Sequence, residues 1–243
     1  MKSDIICLLL IPQVIFGQLA LPTFQAIQTK STSSLNEECG TQSCGGPSLC
    51  SEPECEKHQI SMRWHTINNI SQPDDLVLTL QNASTVTLKA RVTVDRGWYL
   101  HNGGTTATHT SNNNNIYTGN MSGTKYYRSW FSWSLASVAG ETITAAQIKL
   151  DIDNWYNTGG SNDAYSKIWE VSNTTHAEII TSKNNAAGKE IWNDLGNGLL
   201  YSCLTIVNNN LSTYTFSLSA AAVSKINALN GGYFIVGNSI SCE

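Results

Sequence analysis

Charged side chains are scarce in this chain. Only 13% of its 243 residues are Asp, Glu, Lys or Arg, about half the fraction usual in soluble domains. Asn, Ser, Thr and Gly take their place, a composition common on exported, β-rich proteins. The net charge is −4, and no basic patch occurs along the sequence. We therefore expect no nucleic-acid partner and no binding to anionic membrane surfaces.

Catalytic motifs are missing as well. The sequence contains neither a G-x-S-x-G nucleophile elbow nor an H-E-x-x-H zinc motif. It also shows none of the Arg/Glu, Gln/His and Tyr-containing strands of jelly-roll polysaccharide lyases. The five histidines are scattered, and we interpret His101 and His109, which flank the loop NGGTTAT, as surface loop residues rather than metal ligands. We therefore expect a protein that is not an enzyme.

The longest apolar run lies at the N-terminus. Met1 and Lys2 precede the apolar segment IICLLLIPQVIF, and Gly17 follows it. This is the layout of a secretory signal peptide, and about twelve apolar residues are too few to span a bilayer. We predict that residues 1–17 are a signal peptide and that the protein is secreted. No second apolar run follows, so we expect no membrane anchor in the mature chain.

Six cysteines remain when Cys7 of the apolar segment is set aside. An even number in an exported chain predicts disulfides. Cys203 and Cys242 lie far from the other four, and we expect them to pair with each other; the alternative is a buried thiol at Cys203 and a loose tail at Cys242. The other four have the spacing C-x4-C-x5-C-x4-C, wider than the hooks of zinc sites, and we expect disulfides there too: Cys39, Cys44, Cys50 and Cys55.

The composition and the pattern of apolar residues change along the chain. Residues 18–60 are predicted to form a flexible lead and the cysteine-rich segment, and residues 61–243 a single β-sandwich domain. Within that domain, apolar and polar residues alternate as they do in half-buried strands. The clearest examples are LVLTLQ, TVTLKARVTV and AQIKLDID, and Gly- and Asn-rich turns separate such segments.

One helix is expected in this background of strands. The segment SAAAVSKINALNGG begins at Ser219, a suitable N-cap, and ends at Gly231, a suitable residue to follow a helix. We therefore predict an all-β fold, an antiparallel β-sandwich or jelly roll with one short helix near the C-terminus.

The most aromatic stretch is KYYRSWFSWSL at residues 125–135. A strand places successive side chains on opposite faces. One face carries Tyr127, Phe131, Trp133 and Leu135 and is the natural core face. The other face is polar apart from Tyr126 and Trp130, and we interpret the strand as mainly architectural, with the place of Trp130 undecided.

Six segments share the pattern of a known domain: GWY at 97–99, SNNNNIYTG at 111–119, YRSWFSWSL at 127–135, ITAAQIKL at 143–150, NDLGNGLLY at 193–201 and LSAAAVSKINALNGGYFIVGNSI at 218–240. Through them residues 90–241 resemble a β-sandwich domain found in bacterial exported proteins, many of which carry a PEP-CTERM anchor. The resemblance implies a β-sandwich and export. The spacing of these motifs is also similar to that of polysaccharide-binding jelly-roll modules. The chain departs from the pattern at Ser134, where that domain usually has Asp, and in its cysteine-rich lead.

Aromatic pairs at loop edges are the best functional lead. Trp98-Tyr99 and Trp155-Tyr156 lie beside Gly and Asn residues. Sugar rings stack on flat aromatic faces while nearby amides and hydroxyls bind their OH groups. We predict that these four residues, with Trp130, bind a ligand; the alternative is that they close the ends of the sandwich.

Asp151 and Asp153 share one face of the AQIKLDID strand. A solvated strand face is one interpretation. The other is a calcium site completed by the carbonyls of Asn154 and Asn157, since calcium takes oxygen ligands. Apart from calcium, no cofactor is expected.

The sequence thus predicts a secreted, non-catalytic β-sandwich protein that binds glycan or extracellular matrix at the cell surface. Its partner would be a polysaccharide or an extracellular protein. Two alternatives stay open: a structural or adhesive subunit that contacts other proteins, and a jelly-roll polysaccharide hydrolase or lyase.

Overall fold

Strands dominate the described part of the chain, and every pairing between them is antiparallel. The computed structural model describes residues 58–63, 66–67, 70–71, 74–91, 94–110, 115–122, 125–157, 164–181, 183–207 and 210–241. Of residues 58–63, 66–67, 70–71, 110, 115, 121–122, 153–157 and 241, it describes the backbone alone. The predicted all-β fold is confirmed.

The strands are numbered in chain order. They are β1 His58–Arg63, β2 Thr66–Ile67, β3 Ile70–Ser71, β4 Asp74–Leu80, β5 Thr85–Lys89, β6 Arg96–His101, β7 Ala107–Thr110, β8 Asn115–Ser122, β9 Lys125–Ser134, β10 Ile143–Asn157, β11 Ala164–Glu170, β12 Leu200–Ile206, β13 Thr213–Ser217 and β14 Tyr233–Ser241. The helices are α1 His176–Ile179, α2 Ala186–Asp194 and α3 Ala220–Leu229, with a 3-10 helix at Ala136–Val138. No described helix has the length and apolar character that a membrane crossing requires.

Two sheets form the sandwich. The large sheet contains β12, β11, β14, β9, β6 and β7, and it continues from β9 through β8 to β1. The small sheet has the order β13-β10-β4-β5. The long strand β10 belongs to both, because Ile143–Asp151 pairs with β4 and β13 whereas Ile152–Asn157 pairs with β1. Strand β1 begins at His58, three residues before the domain boundary predicted at residue 61.

The main core lies between the two sheets. Strand β4 alternates as its sequence predicts, with Leu76, Leu78 and Leu80 buried. They belong to the same apolar cluster as Phe131 and Trp133 of β9 on the large sheet. Removing this apolar surface from water is the main force that holds the sheets together.

A second core lies on the opposite face of the large sheet, and it corrects the expectation that this face of β9 is polar. Trp130 is fully buried there. Helices α1 and α2 cover it, through Ile179 and through Ile191 and Trp192. The structure therefore contains two helices in addition to the predicted one. They shield from solvent a face of the large sheet that would otherwise be exposed.

Helix α3 follows the sequence prediction closely. The Ser219 hydroxyl accepts a hydrogen bond from the Ala222 amide at 3.4 Å, as an N-cap does. The helix ends at Leu229, after which Asn230 and Gly231 both have positive φ. Left-handed residues at this point are the usual way to end a helix.

Cys203 in β12 is the only cysteine among the described residues, so no disulfide lies wholly within the described part. Cys203 is buried and disulfide-bonded. Cys39, Cys44, Cys50, Cys55 and Cys242 fall outside the described residues. The pairing of Cys203 with Cys242 stays a prediction. So do the signal peptide at 1–17 and the lead with its cysteine-rich segment at 18–60, of which residues 18–57 lie outside the described part.

Candidate functional site

A surface groove lies on the start of β14, between the loop that follows β11 and helix α3. Its volume is about 510 Å³. We call it the Tyr233 groove. It combines an aromatic ring, aliphatic side chains, hydroxyls and one lysine, and the residues that line it are Val171, Ser172, Thr174, Thr175, His176, Ala177, Lys225, Leu229, Tyr233, Phe234 and Ile235.

The loop wall of the groove is held in place by a buried carboxylate. Asp194, at the end of α2, accepts hydrogen bonds from the backbone amides of Ser172 at 3.3 Å and Asn173 at 3.0 Å. The Asn173 side-chain amide donates to the same carboxylate at 3.3 Å. Because hydrogen bonds to a charged acceptor are stronger than neutral ones, this wall is ordered before any ligand arrives.

A capping box then begins helix α1. The Thr175 hydroxyl accepts from the Glu178 amide at 3.3 Å, and the Glu178 carboxylate accepts from the Thr175 amide at 2.8 Å. Hydrogen bonds from Thr175 hold the pKa of Glu178 below its usual value. The sequence carries this signal as T-x-x-E, which predicts that a helix begins at His176.

Asp95 orients His176 from behind the groove. His176 Nε2 lies 3.1 Å from Asp95 Oδ1. Asp95 also accepts from Arg91 Nε at 2.6 Å and Arg91 Nη2 at 2.9 Å. Burial acts to raise the pKa of Asp95, but the hydrogen bonds from Arg91 and His176 outweigh it and hold that pKa below its usual value. Asp95 is therefore a carboxylate that fixes both neighbours.

The aromatic wall of the groove is a stacked pair. The rings of His176 and Tyr233 are nearly parallel, 6° apart, with centroids separated by 3.7 Å. Tyr233 is the first residue of β14 and pairs with Ser134 of β9. Arg91 Nη2 lies 3.5 Å from the Tyr233 hydroxyl. The phenol ring, the imidazole and the guanidinium therefore position one another at the start of β14, an interior strand of the large sheet.

The other side of the groove carries an ion pair. Lys225 Nζ on α3 lies 3.0 Å from Glu170 Oε1 at the end of β11. Lys225 lines the groove, whereas Glu170 does not. The loop wall, the stacked pair and this lysine give the groove one flat ring and several hydrogen-bonding groups, an arrangement typical of small-molecule and sugar sites.

The predicted aromatic ligand site is not assembled on one surface. Trp98 packs half-buried against the main core, and its ring meets Tyr117 and Tyr127 at centroid distances of 6.1 and 5.1 Å. Tyr99 and Trp130 are fully buried in the second core, on the opposite face of the large sheet. A glycan-contact role for Tyr99 and Trp130 does not agree with these positions.

The remaining predicted residues are only partly described. Trp155 and Tyr156 lie in the part of β10 that pairs with β1, and their side chains fall outside the described part of the chain. The same holds for the side chain of Asp153. Asp151 is half-buried and accepts a hydrogen bond from the Thr213 hydroxyl at 3.0 Å. Among the described residues, no three metal-ligating side chains cluster together.

The surface interpretation of His101 and His109 is wrong, because both side chains are buried. His109 packs against Tyr99, with ring centroids 4.6 Å apart, and lies beside Trp130. Neither ring nitrogen of His109 has a hydrogen-bond partner among the described residues. Burial lowers the pKa of His109 to about 4. The two histidines were misjudged because the covering helices were not predicted.

No protein-family model, curated protein or solved structure matches this chain.

Proposed function

We propose that the protein is a secreted, non-catalytic glycan-binding protein and that the Tyr233 groove is its binding site. One observation carries the proposal: the ring of Tyr233 is fixed against His176 at 3.7 Å on the wall of a groove that also presents hydroxyls. Sugar rings have apolar CH faces that pack on aromatic rings, and their hydroxyls need hydrogen-bonding neighbours.

The construction of the groove supports this proposal. Asp194 orders the loop wall, and Asp95 orders His176. A site that is ordered before binding loses less conformational entropy when a flexible sugar chain docks. The export signal expected at residues 1–17, the low charge and the resemblance to exported β-sandwich domains all suit an extracellular ligand of this kind.

Affinity electrophoresis of the full chain through gels that contain single polysaccharides tests the proposal. We expect at least one polysaccharide to retard the protein. Tyr233→Ala should weaken that retardation about tenfold, since an aromatic contact contributes up to about 1.5 kcal/mol beyond its buried area. Tyr214→Ala is the matched control, because Tyr214 is a half-buried tyrosine on β13 that does not line the Tyr233 groove.

Two results would contradict the proposal. The first is a folded protein that no polysaccharide retards. The second is retardation that Tyr233→Ala leaves unchanged, which would move the site elsewhere on the surface. Thermal unfolding of both tyrosine variants shows whether either change acts through the fold.

A second candidate function, a subunit that contacts other proteins, is favoured by a separate surface. A groove of about 610 Å³ lies between the end of β12 and β13. Val207 lines it, and the neighbouring Leu211 is about half exposed. Exposed apolar side chains beside strand edges are suited to protein contacts. Size-exclusion chromatography over a range of concentrations, with Leu211→Ser as the variant, tests for self-association.

A further inference from the structure

We propose that the Tyr233 groove selects acidic polysaccharides, chains that carry uronic-acid carboxylates, over neutral ones. This inference rests on the proposed glycan-binding function. Its basis is which partner is the more exposed one in each of two ion pairs around the groove. In each pair the nitrogen-bearing partner is more exposed than the carboxylate, and in one of them the nitrogen-bearing partner, Lys225, lines the groove itself.

The first pair places a lysine on the groove wall. Lys225 Nζ uses one contact on Glu170, at 3.0 Å. An ammonium group has three N–H donors, so donors remain for a ligand. Glu170 is the less exposed partner, with 21% of its side chain accessible against 37% for Lys225. The outer end of the pair is therefore positive.

The second pair has the same direction beside the Tyr233 hydroxyl. Asp95 is nearly buried, with 4% of its side chain accessible, whereas 60% of the Arg91 side chain is exposed. Arg91 uses Nε and Nη2 on Asp95 and points Nη2 at the Tyr233 hydroxyl. Among the described residues, Arg91 Nη1 has no hydrogen-bond partner. That leaves two N–H donors of a guanidinium free for a carboxylate.

Acidic side chains do not counter these positive ends within the groove. Among the described residues that line it, none is Asp or Glu. His176 also lines the groove, and its Nε2 faces the buried Asp95. A neutral sugar would meet Lys225 and Arg91 without using their charge, whereas a uronate would form charge-assisted hydrogen bonds with them.

The experiment compares an acidic polysaccharide with its methyl ester, in which each carboxylate is replaced by a neutral ester group. Polygalacturonate and its methyl ester have the same sugar stereochemistry, and alginate with its methyl ester forms a second such pair. Binding of the full chain to each is measured by isothermal titration calorimetry. We expect each acid to bind about tenfold more tightly than its ester. The preference should shrink when the salt is raised from about 0.05 M to about 0.5 M.

Two lysine variants test whether the preference for the acidic polysaccharide arises at the groove. Lys225→Gln should remove most of the preference for the acid and leave binding of the ester nearly unchanged. Lys89→Gln is the matched control, because Lys89 forms an ion pair of almost the same length with Asp75, 3.1 Å, on the small sheet. This control removes the same charge from the protein and should leave the preference intact.

The possible results separate the inference from the proposed function. Equal binding of acids and esters, or Tyr233-dependent binding of neutral polysaccharides alone, overturns the selectivity and leaves glycan binding standing. A preference for the acids that survives Lys225→Gln, or that falls equally with Lys89→Gln, also overturns it. If no polysaccharide of any charge binds, the inference and the proposed function fail together.

Discussion

The imidazole of His176 lies flat against the ring of Tyr233, 3.7 Å away, and its Nε2 faces Asp95 at 3.1 Å. These three residues come from the start of α1, the start of β14 and the turn before β6. The stack therefore depends on the packing of the helical layer on the large sheet, and it links the second core to the groove.

His176→Ala should weaken glycan binding about three- to tenfold, because Tyr233 loses the ring that holds it in place. His176→Phe keeps the stacked ring and should retain most of the affinity, even though the contact with Asp95 is lost. Titration calorimetry of both variants measures the difference. Equal losses in the two variants would show that the contact with Asp95, and not the stack, positions Tyr233.

Asp194 should control the order of the loop wall. Asp194→Ala removes the acceptor for the amides of Ser172 and Asn173 and should lower the free energy of unfolding by about 2 kcal/mol. Hydrogen exchange at these two amides should accelerate in the variant. Asp194→Asn retains one acceptor oxygen and should protect one amide better than the other. Unchanged exchange at both amides would contradict the role given to Asp194.

His109 should make stability depend on pH. Its pKa is about 4 in the fold, because burial disfavours the charged form, against 6.5 when it is exposed. Above pH 6.5 neither state binds the proton, and its contribution is fully present. As the pH falls from 6.5 to 4, the unfolded state takes up the proton and the native state does not, so stability falls by about 2–3 kcal/mol.

Urea unfolding between pH 7.5 and pH 4 measures this dependence. His109→Phe removes the ionisable group from a site lined by Tyr99 and Trp130 and should flatten the curve between pH 6.5 and 4. If the variant and the natural protein lose stability in parallel over this interval, the low pKa of His109 is not the cause.

Cys203 is predicted to pair with Cys242. Cys203 lies opposite Lys167 of β11, and Lys167 lies opposite Ser239 of β14 on its other side. Two strand spacings are about 9.5 Å, whereas a disulfide joins Cα atoms at most about 7 Å apart. The pairing therefore requires the chain to leave β14 after Ser241 and turn towards β12.

Peptide mapping without reduction identifies the partner. A Cys203–Cys242 bond would close a loop of about forty residues and stabilise the fold by about 3–4 kcal/mol in the chain-entropy model. A peptide that links Cys203 to one of Cys39, Cys44, Cys50 and Cys55 would instead tie the cysteine-rich segment to the sandwich.

Local patterns predicted the sandwich well. The alternation in β4 and β10 and the caps of α3 were readable because each depends on neighbours along the chain. The second core could not be predicted from local sequence patterns. The polar face of β9 is interior only because α1 and α2 cover it. The sequence signals for α2 are the amphipathic segment AAGKEIWND and Asn185, which caps it.

The Tyr233 groove could not be predicted from the sequence, because it also depends on tertiary packing. The strand YFIVG that contains Tyr233 was recognisable, but nothing in it indicates His176 as a neighbour. Asp95 and Arg91 contact His176 and Tyr233 through tertiary packing, and Lys225 reaches the groove wall from a separate helix. The capping box at Thr175 and Glu178 would have placed His176 at the start of a helix, though not against Tyr233.

Hydroxyl-radical footprinting of the full chain, with and without a saturating polysaccharide, tests the location of the site most directly. The account predicts that Tyr233 and His176 are protected when the polysaccharide is bound, while Tyr214 reacts equally in both samples. Protection confined to Trp155 and Tyr156, with Tyr233 reacting as it does in the free protein, would contradict it.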